Sequence, residues 1–123
     1  MPLPILKNLR NCAIYVSLLD VVPDQLLEEA ARRFSLLGDV NRLRILSTLH
    51  AAGEQSTGAL AAKTGLAVAN VSQHLSRLMA AGLVSRRRGG SHAYYTISDP
   101  TLASLCDLVC TSVRERAASL AHG

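Results

Sequence analysis

Two sets of residues in this 123-residue chain have types and spacings that could do chemistry. The first is Asn70, Ser72, Gln73, His74, Ser76 and Arg77, followed closely by Arg86, Arg87 and Arg88. Short amides and hydroxyls can meet base edges in a duplex groove, glutamine being geometrically suited to adenine, while arginines hold phosphates. The second is Cys106 and Cys110. At positions i and i+4 of a helix their β-carbons stand about 5–6 Å apart, so two thiolates can chelate one soft ion. A third thiolate, from Cys12, would complete a trigonal three-sulfur site suited to arsenic(III) or another thiophilic ion. An accessible thiolate pair could instead react with oxidants or persulfides. Each cysteine could equally be a small buried hydrophobe.

Residues 56–97 must position the first set. Ser56 can cap a short helix running through Thr64, and Gly65 suits the left-handed turn after it. A second helix over 68–81 turns Val71, Leu75, Leu78 and Met79 inward and leaves the polar set outward. Gly82 ends it. Residues 83–88 and 91–97 read as strands, with Gly89-Gly90 as a two-residue turn requiring positive φ at both positions. On the return strand Ala93, Tyr95 and Ile97 alternate with His92, Tyr94 and Thr96.

The flanking segments read as helices. Ile5, Leu9, Cys12, Val16 and Leu19 recur at helical spacing. Asp24 is expected to cap a helix with Leu26, Leu27, Ala30, Phe34 and Leu37 on one face. Asp39 is expected to cap another that buries Leu43, Leu46 and Leu49. Asp99-Pro100 opens a last helix, with Leu102, Leu105, Cys106, Val109, Cys110 and Val113 on one stripe.

This order is mainly α with a small β-hairpin wing, the pattern of a winged helix-turn-helix. It gives one domain with an N-terminal dimerisation helix over 1–22, a helix-turn-helix over 56–81, a wing over 83–97 and a C-terminal dimerisation and sensor helix over 99–118. The first and last helices are expected to pack across a two-fold axis. Such a homodimer would read two half-sites of double-stranded DNA about one helical turn apart.

Charge supports that partner. Residues 54–98 hold Lys63, Arg77, Arg86, Arg87 and Arg88 against Glu54 alone, a net +4 that equals the charge of the whole chain. Clustered positive charge is an electrostatic footprint for nucleic acid. With 49% apolar residues the chain is not disordered, and with no Trp and one Phe its core must be aliphatic. The three cysteines form no disulfide framework. The N-terminal stripe is broken by Asn11, Ser17 and Asp20 and lacks a cleavage site, so a cytoplasmic protein with no membrane partner is expected. No Gly-rich phosphate loop, nucleophile elbow or His/carboxylate cluster is visible, so neither an enzyme nor an organic cofactor is expected. A winged-helix protein-interaction module that does not bind DNA is the reading from another class; the basic wing and polar helix face argue against it. His74 lies on the recognition face, and none of His50, His92 and His122 is assigned as a ligand.

The run GDVNRLRIL at residues 38–46 and the segment TGLAVANVSQHLSRLMAAGLVSRRRGGSHAYYTISD at 64–99, with the helix after it, resemble the ArsR/SmtB family. The resemblance covers residues 26 to about 116. It implies a dimeric repressor that binds its operator when ligand-free and leaves it when an inducer binds. It departs from the family pattern where Val40 replaces a proline and where Ala67 replaces the Ser or Thr that caps the recognition helix. Three sensing sites of the family are absent. Residues 55–58 carry no cysteine, Thr101 and Ser112 stand where a zinc site has histidines beside Asp99 and Glu115, and Ser47 and Arg114 replace a dithiol pair. Cys106 and Cys110, with Cys12, remain as the residues for a thiophilic inducer, for a redox or persulfide switch, or for inert packing.

Overall fold

The computed structural model describes residues 22–122. Its elements are α1 (Asp24–Leu37), α2 (Val40–Ala52), β1 (Gln55–Ser56), α3 (Thr57–Thr64), α4 (Val68–Ala80), β2 (Val84–Gly89), β3 (His92–Ile97) and α5 (Thr101–His122). Most of the expected helix over 1–22, with Cys12, lies outside the described residues. The chain divides into two units after Ser35.

α1, which lies in the first unit up to Ser35, buries no residue and exposes Leu26, Leu27 and Phe34. Glu29 pairs with Arg32 at 2.8 Å one turn away, a local support for the helix. Asp24 does not cap α1. It lies inside the first turn, and the Pro23 carbonyl accepts from the amides of Leu26 and Leu27.

The second unit closes on an aliphatic core. Ile45, Leu46 and Leu49 of α2 meet Leu60 of α3, Val71, Leu75 and Leu78 of α4, then Leu83, Val84, Tyr95 and Leu102. Leu43, expected in this core, is 38% exposed. The buried face of α2 follows Ile45, Leu46 and Leu49, rotated away from the stripe that Leu43 would extend. Local chemistry sets the helix ends. The Asp39 carboxylate accepts from the amides of Asn41 and Arg42 at 2.9 and 3.0 Å. Ser56 Oγ accepts from the Ala59 amide at 3.1 Å and starts α3. Gly65, at φ 76°, ends α3 in the left-handed conformation that favours glycine.

The sheet has three antiparallel strands in the order β1-β3-β2. The expected hairpin is there, and β1 adds to it through Gln55 opposite Tyr95 and Ser56 opposite Tyr94. Gly89 pairs with His92, so the turn is Gly90-Ser91, one residue later than expected. Only Gly90 of the two has positive φ, the pattern of a type II′ hairpin turn. Tyr95, Ala93 and Ile97 face or pack on the core, as the alternation predicted.

α5 begins at a cap, where Asp99 accepts from the Thr101 amide at 3.0 Å. Leu102 in its first turn is buried, whereas Leu108, Val109, Val113 and Leu120 further on are exposed. Among the described residues no helix is long and apolar enough to cross a membrane.

Candidate nucleic-acid interface and thiol pair

The helix-turn-helix positions its polar side chains by burying the opposite face of α4. Val71, Leu75 and Leu78 are each no more than 1% exposed, which fixes the rotation of the helix. Asn70, Ser72, Gln73, Ser76 and Arg77 are consequently exposed on the other side. Ala67, before α4, makes no side-chain cap, so the first turn keeps amide donors that a Ser or Thr would have satisfied.

His74 differs from its neighbours. Its ring is half-buried, and Nδ1 is enclosed without a hydrogen-bond partner. It lies near enough to Asp39 to interact electrostatically with the cap of α2. The Asp39 carboxyl is held below the usual aspartate value chiefly by the Arg42 amide, with the Arg42 charge, the Asn41 amide and His74 adding to the effect against a burial penalty. His74 therefore sits against the scaffold, while Asn70, Ser72, Gln73 and Arg77 point to solvent.

The three wing arginines also separate. Successive side chains of a strand alternate faces. Arg86 and Arg88 share the side of Val84, where Arg86 pairs in register with the buried Tyr95. Both are exposed, and neither has an ion-pair partner among the described residues. Arg87 points to the other side. Its Nη2 donates to Glu54 Oε1 at 2.6 Å and its Nε to Glu54 Oε2 at 3.0 Å. Its guanidinium carbon also lies 5.0 Å from the centroid of the Tyr94 ring. The hydrogen bond to Arg87 holds the Glu54 carboxyl below the usual glutamate value. In the sequence the three arginines look alike, because Glu54 lies 33 residues from Arg87 and nothing local joins them.

Cys106 and Cys110 are free thiols on one side of α5. Cys106 is half-buried, and burial pushes its thiol above the usual range, with Cys110 and Asp107 adding to the shift. Cys110 is exposed. Among the described residues no cluster of three His, Cys, Asp or Glu side chains is present. Among the described residues the two thiols are therefore an incomplete donor set for a trigonal ion, and Cys12 lies outside the described residues.

The sequence profile described as "Bacterial regulatory protein, arsR family" matches residues 39–86, from the cap of α2 into the wing. A probable mercury resistance operon repressor of Streptomyces lividans is 34% identical over 93 residues, which cover 76% of this chain and 74% of that protein. An HTH-type transcriptional regulator of Mycobacterium tuberculosis is 38% identical over 96 residues, covering 78% of this chain. The match spans only 42% of that regulator's length. The homodimeric winged helix-turn-helix DNA-binding domain of a possible ArsR-family regulator from Mycobacterium bovis superposes with a TM-score of 0.69 at 36% identity, covering 76% of this chain and 86% of that one. The half-buried α4 with its exposed polar face, the basic hairpin and these matches coincide on the same residues, and the chain belongs to the ArsR family of bacterial regulatory proteins, a family of DNA-binding transcriptional regulators and not of enzymes.

Proposed function

We propose that this chain is an operator-binding repressor that acts as a homodimer and releases DNA when a thiophilic ion binds Cys106 and Cys110. The observation that carries the DNA half is the exposed polar face of α4 beside a wing whose Arg86 and Arg88 are unpaired among the described residues. Asn70, Ser72 and Gln73 are placed to meet base edges, and Arg77, Arg86 and Arg88 to hold phosphates. His74 would act from behind the face it was first assigned to. Two copies are supported by the exposed apolar residues of α5, which a partner would cover.

The inducer reading rests on donor chemistry. Two thiols one turn apart on α5 favour soft ions over oxygen-loving ones. The relative named as a mercury resistance operon repressor supports the same ligand class. Arsenic(III) fits if Cys12 supplies the third sulfur. A metal would displace the thiol protons, including that of Cys106, whose raised pKa makes the free thiolate scarce at neutral pH.

Both halves are tested on a duplex selected by the protein from a random library. Tight, salt-dependent binding to the selected duplex over a scrambled one is expected, and equal binding to both would contradict sequence-specific regulation. Arsenite, cadmium, lead and zinc are then titrated into the complex. Release by a thiophilic ion is expected; release by none would remove the metal reading, and release by hydrogen peroxide alone would move the pair to thiol oxidation.

A further inference from the structure

The outer side of the wing carries a built cluster of side chains that DNA contact alone does not require. Arg87 meets Glu54 through two parallel hydrogen bonds, the fork geometry that makes arginine–carboxylate pairs directional. The same guanidinium lies over the Tyr94 ring, and His92 meets that ring edge-on with centroids 6.4 Å apart. Ser85 and Thr96 continue this side with a hydroxyl–hydroxyl hydrogen bond of 3.1 Å.

Gly89 belongs to the cluster. Its φ is not positive, so the turn does not demand glycine there. A Cβ at position 89 would instead lie 2.8 Å from Tyr94 Cε2 and 3.2 Å from Arg87 Nη1. Glycine leaves room for the ring and guanidinium to lie close over the backbone.

The cluster also spans the sheet. Arg87 is on β2, Tyr94 on β3, and Glu54 immediately precedes β1. Two residues after Glu54, Ser56 caps the first helix of the helix-turn-helix. The ion pair thus ties the far strand of the hairpin to the segment that launches α3. A two-residue β1 offers few backbone bonds for that attachment, so side chains must help to fix the wing's angle.

We propose that Arg87 is a positioning residue of the DNA interface, held by Glu54 and Tyr94 to fix the wing against the helix-turn-helix, while Arg86 and Arg88 make the phosphate contacts. This rests on the reading of the wing as a phosphate-binding element, and the experiment keeps the two apart.

Affinity for one fixed duplex is measured against potassium chloride concentration for the wild type, Arg86→Ala, Arg88→Ala, Arg87→Ala, Arg87→Lys, Glu54→Ala and the Glu54→Ala/Arg87→Ala double variant. Each lost phosphate contact lowers the slope of log K against log salt by about 0.9. Arg86→Ala and Arg88→Ala are expected to show that drop. Arg87→Ala is expected to weaken binding with the slope unchanged. Glu54→Ala should weaken it similarly, although it removes a negative charge, and the double variant should be no weaker than either single one. Arg87→Lys keeps the charge but loses the fork and the planar stack, so it should behave as Arg87→Ala does. A slope drop in Arg87→Ala, with full binding by Arg87→Lys and tighter binding by Glu54→Ala, would overturn the positioning role and leave the wing reading intact. Unchanged slopes in Arg86→Ala and Arg88→Ala would overturn both. Far-ultraviolet circular dichroism and thermal melting of each variant separate wing displacement from unfolding.

Discussion

The winged helix-turn-helix unit and the helices that flank it are built on opposite terms. From α2 to β3 most large apolar side chains join the unit's own core, with Val40, Leu43 and Val68 left exposed. On α1, Leu26, Leu27 and Phe34 are exposed, and on α5 so are Leu108, Val109, Val113 and Leu120, the last at 74%. One region closes a core within the chain; the other leaves large apolar side chains exposed along its helices. The thiols lie in the second region, away from the face of α4 that would read DNA. The contrast puts the proposed reading and switching residues in separate regions, so a switch of the kind proposed would act on α4 from the flanking helices.

Charged substitutions are the strongest way to break this contrast. Val113→Glu combined with Leu120→Glu should abolish the dimer in analytical ultracentrifugation and with it tight operator binding, while the circular dichroism of the folded unit persists. Collapse of the whole fold would instead show that the later turns of α5, beyond the buried Leu102, also support the core. The complementary change is Leu75→Ala inside the unit. A buried leucine truncated to alanine costs about 2–5 kcal/mol, readable by chemical denaturation, and should lower DNA binding through stability alone.

Two smaller changes sharpen the contrast. The Asp39 cap is a carboxylate whose pKa is depressed on folding, first by the Arg42 amide. A depressed carboxylate stabilises the fold above its ordinary pKa, and that stabilisation is lost as pH falls through the folded-state value. Acid unfolding of the wild type should therefore lose stability more steeply in this window than Asp39→Asn does. At the other cap, Ala67→Ser should add about 0.5–1 kcal/mol by satisfying an amide of α4. A thermal melt that does not rise would show that the first turn already has a partner.

How much of this was legible in the sequence follows the same division. The caps at Asp39, Ser56 and Asp99, the left-handed Gly65 and the inward face of α4 depend on neighbours within a turn or two, so spacing alone discloses them. β1 is too short to carry a period of its own. The spacing puts the wing turn one residue early because Gly89 and Gly90 look alike in the sequence; the positive φ of Gly90 and the approach of Tyr94 and Arg87 to Gly89 tell them apart. The same holds for Arg87, which reads as one of three equal cations until Glu54 and Tyr94 are brought to it. Asp24 carried a good cap residue's identity, yet the helix began around it rather than after it. The thiols were visible as a pair, but a third donor is a question of assembly that a single sequence does not spell out.

Most directly, the separation of reading from switching is tested by fluorescence anisotropy of a labelled operator duplex with the wild type and the Cys106→Ser/Cys110→Ser variant side by side, first without metal and then during an arsenite titration. Equal affinity for DNA is expected in the absence of arsenite, and release of the wild type alone when it is added. Equal release of both proteins, or failure of the variant to bind DNA without arsenite, would contradict it.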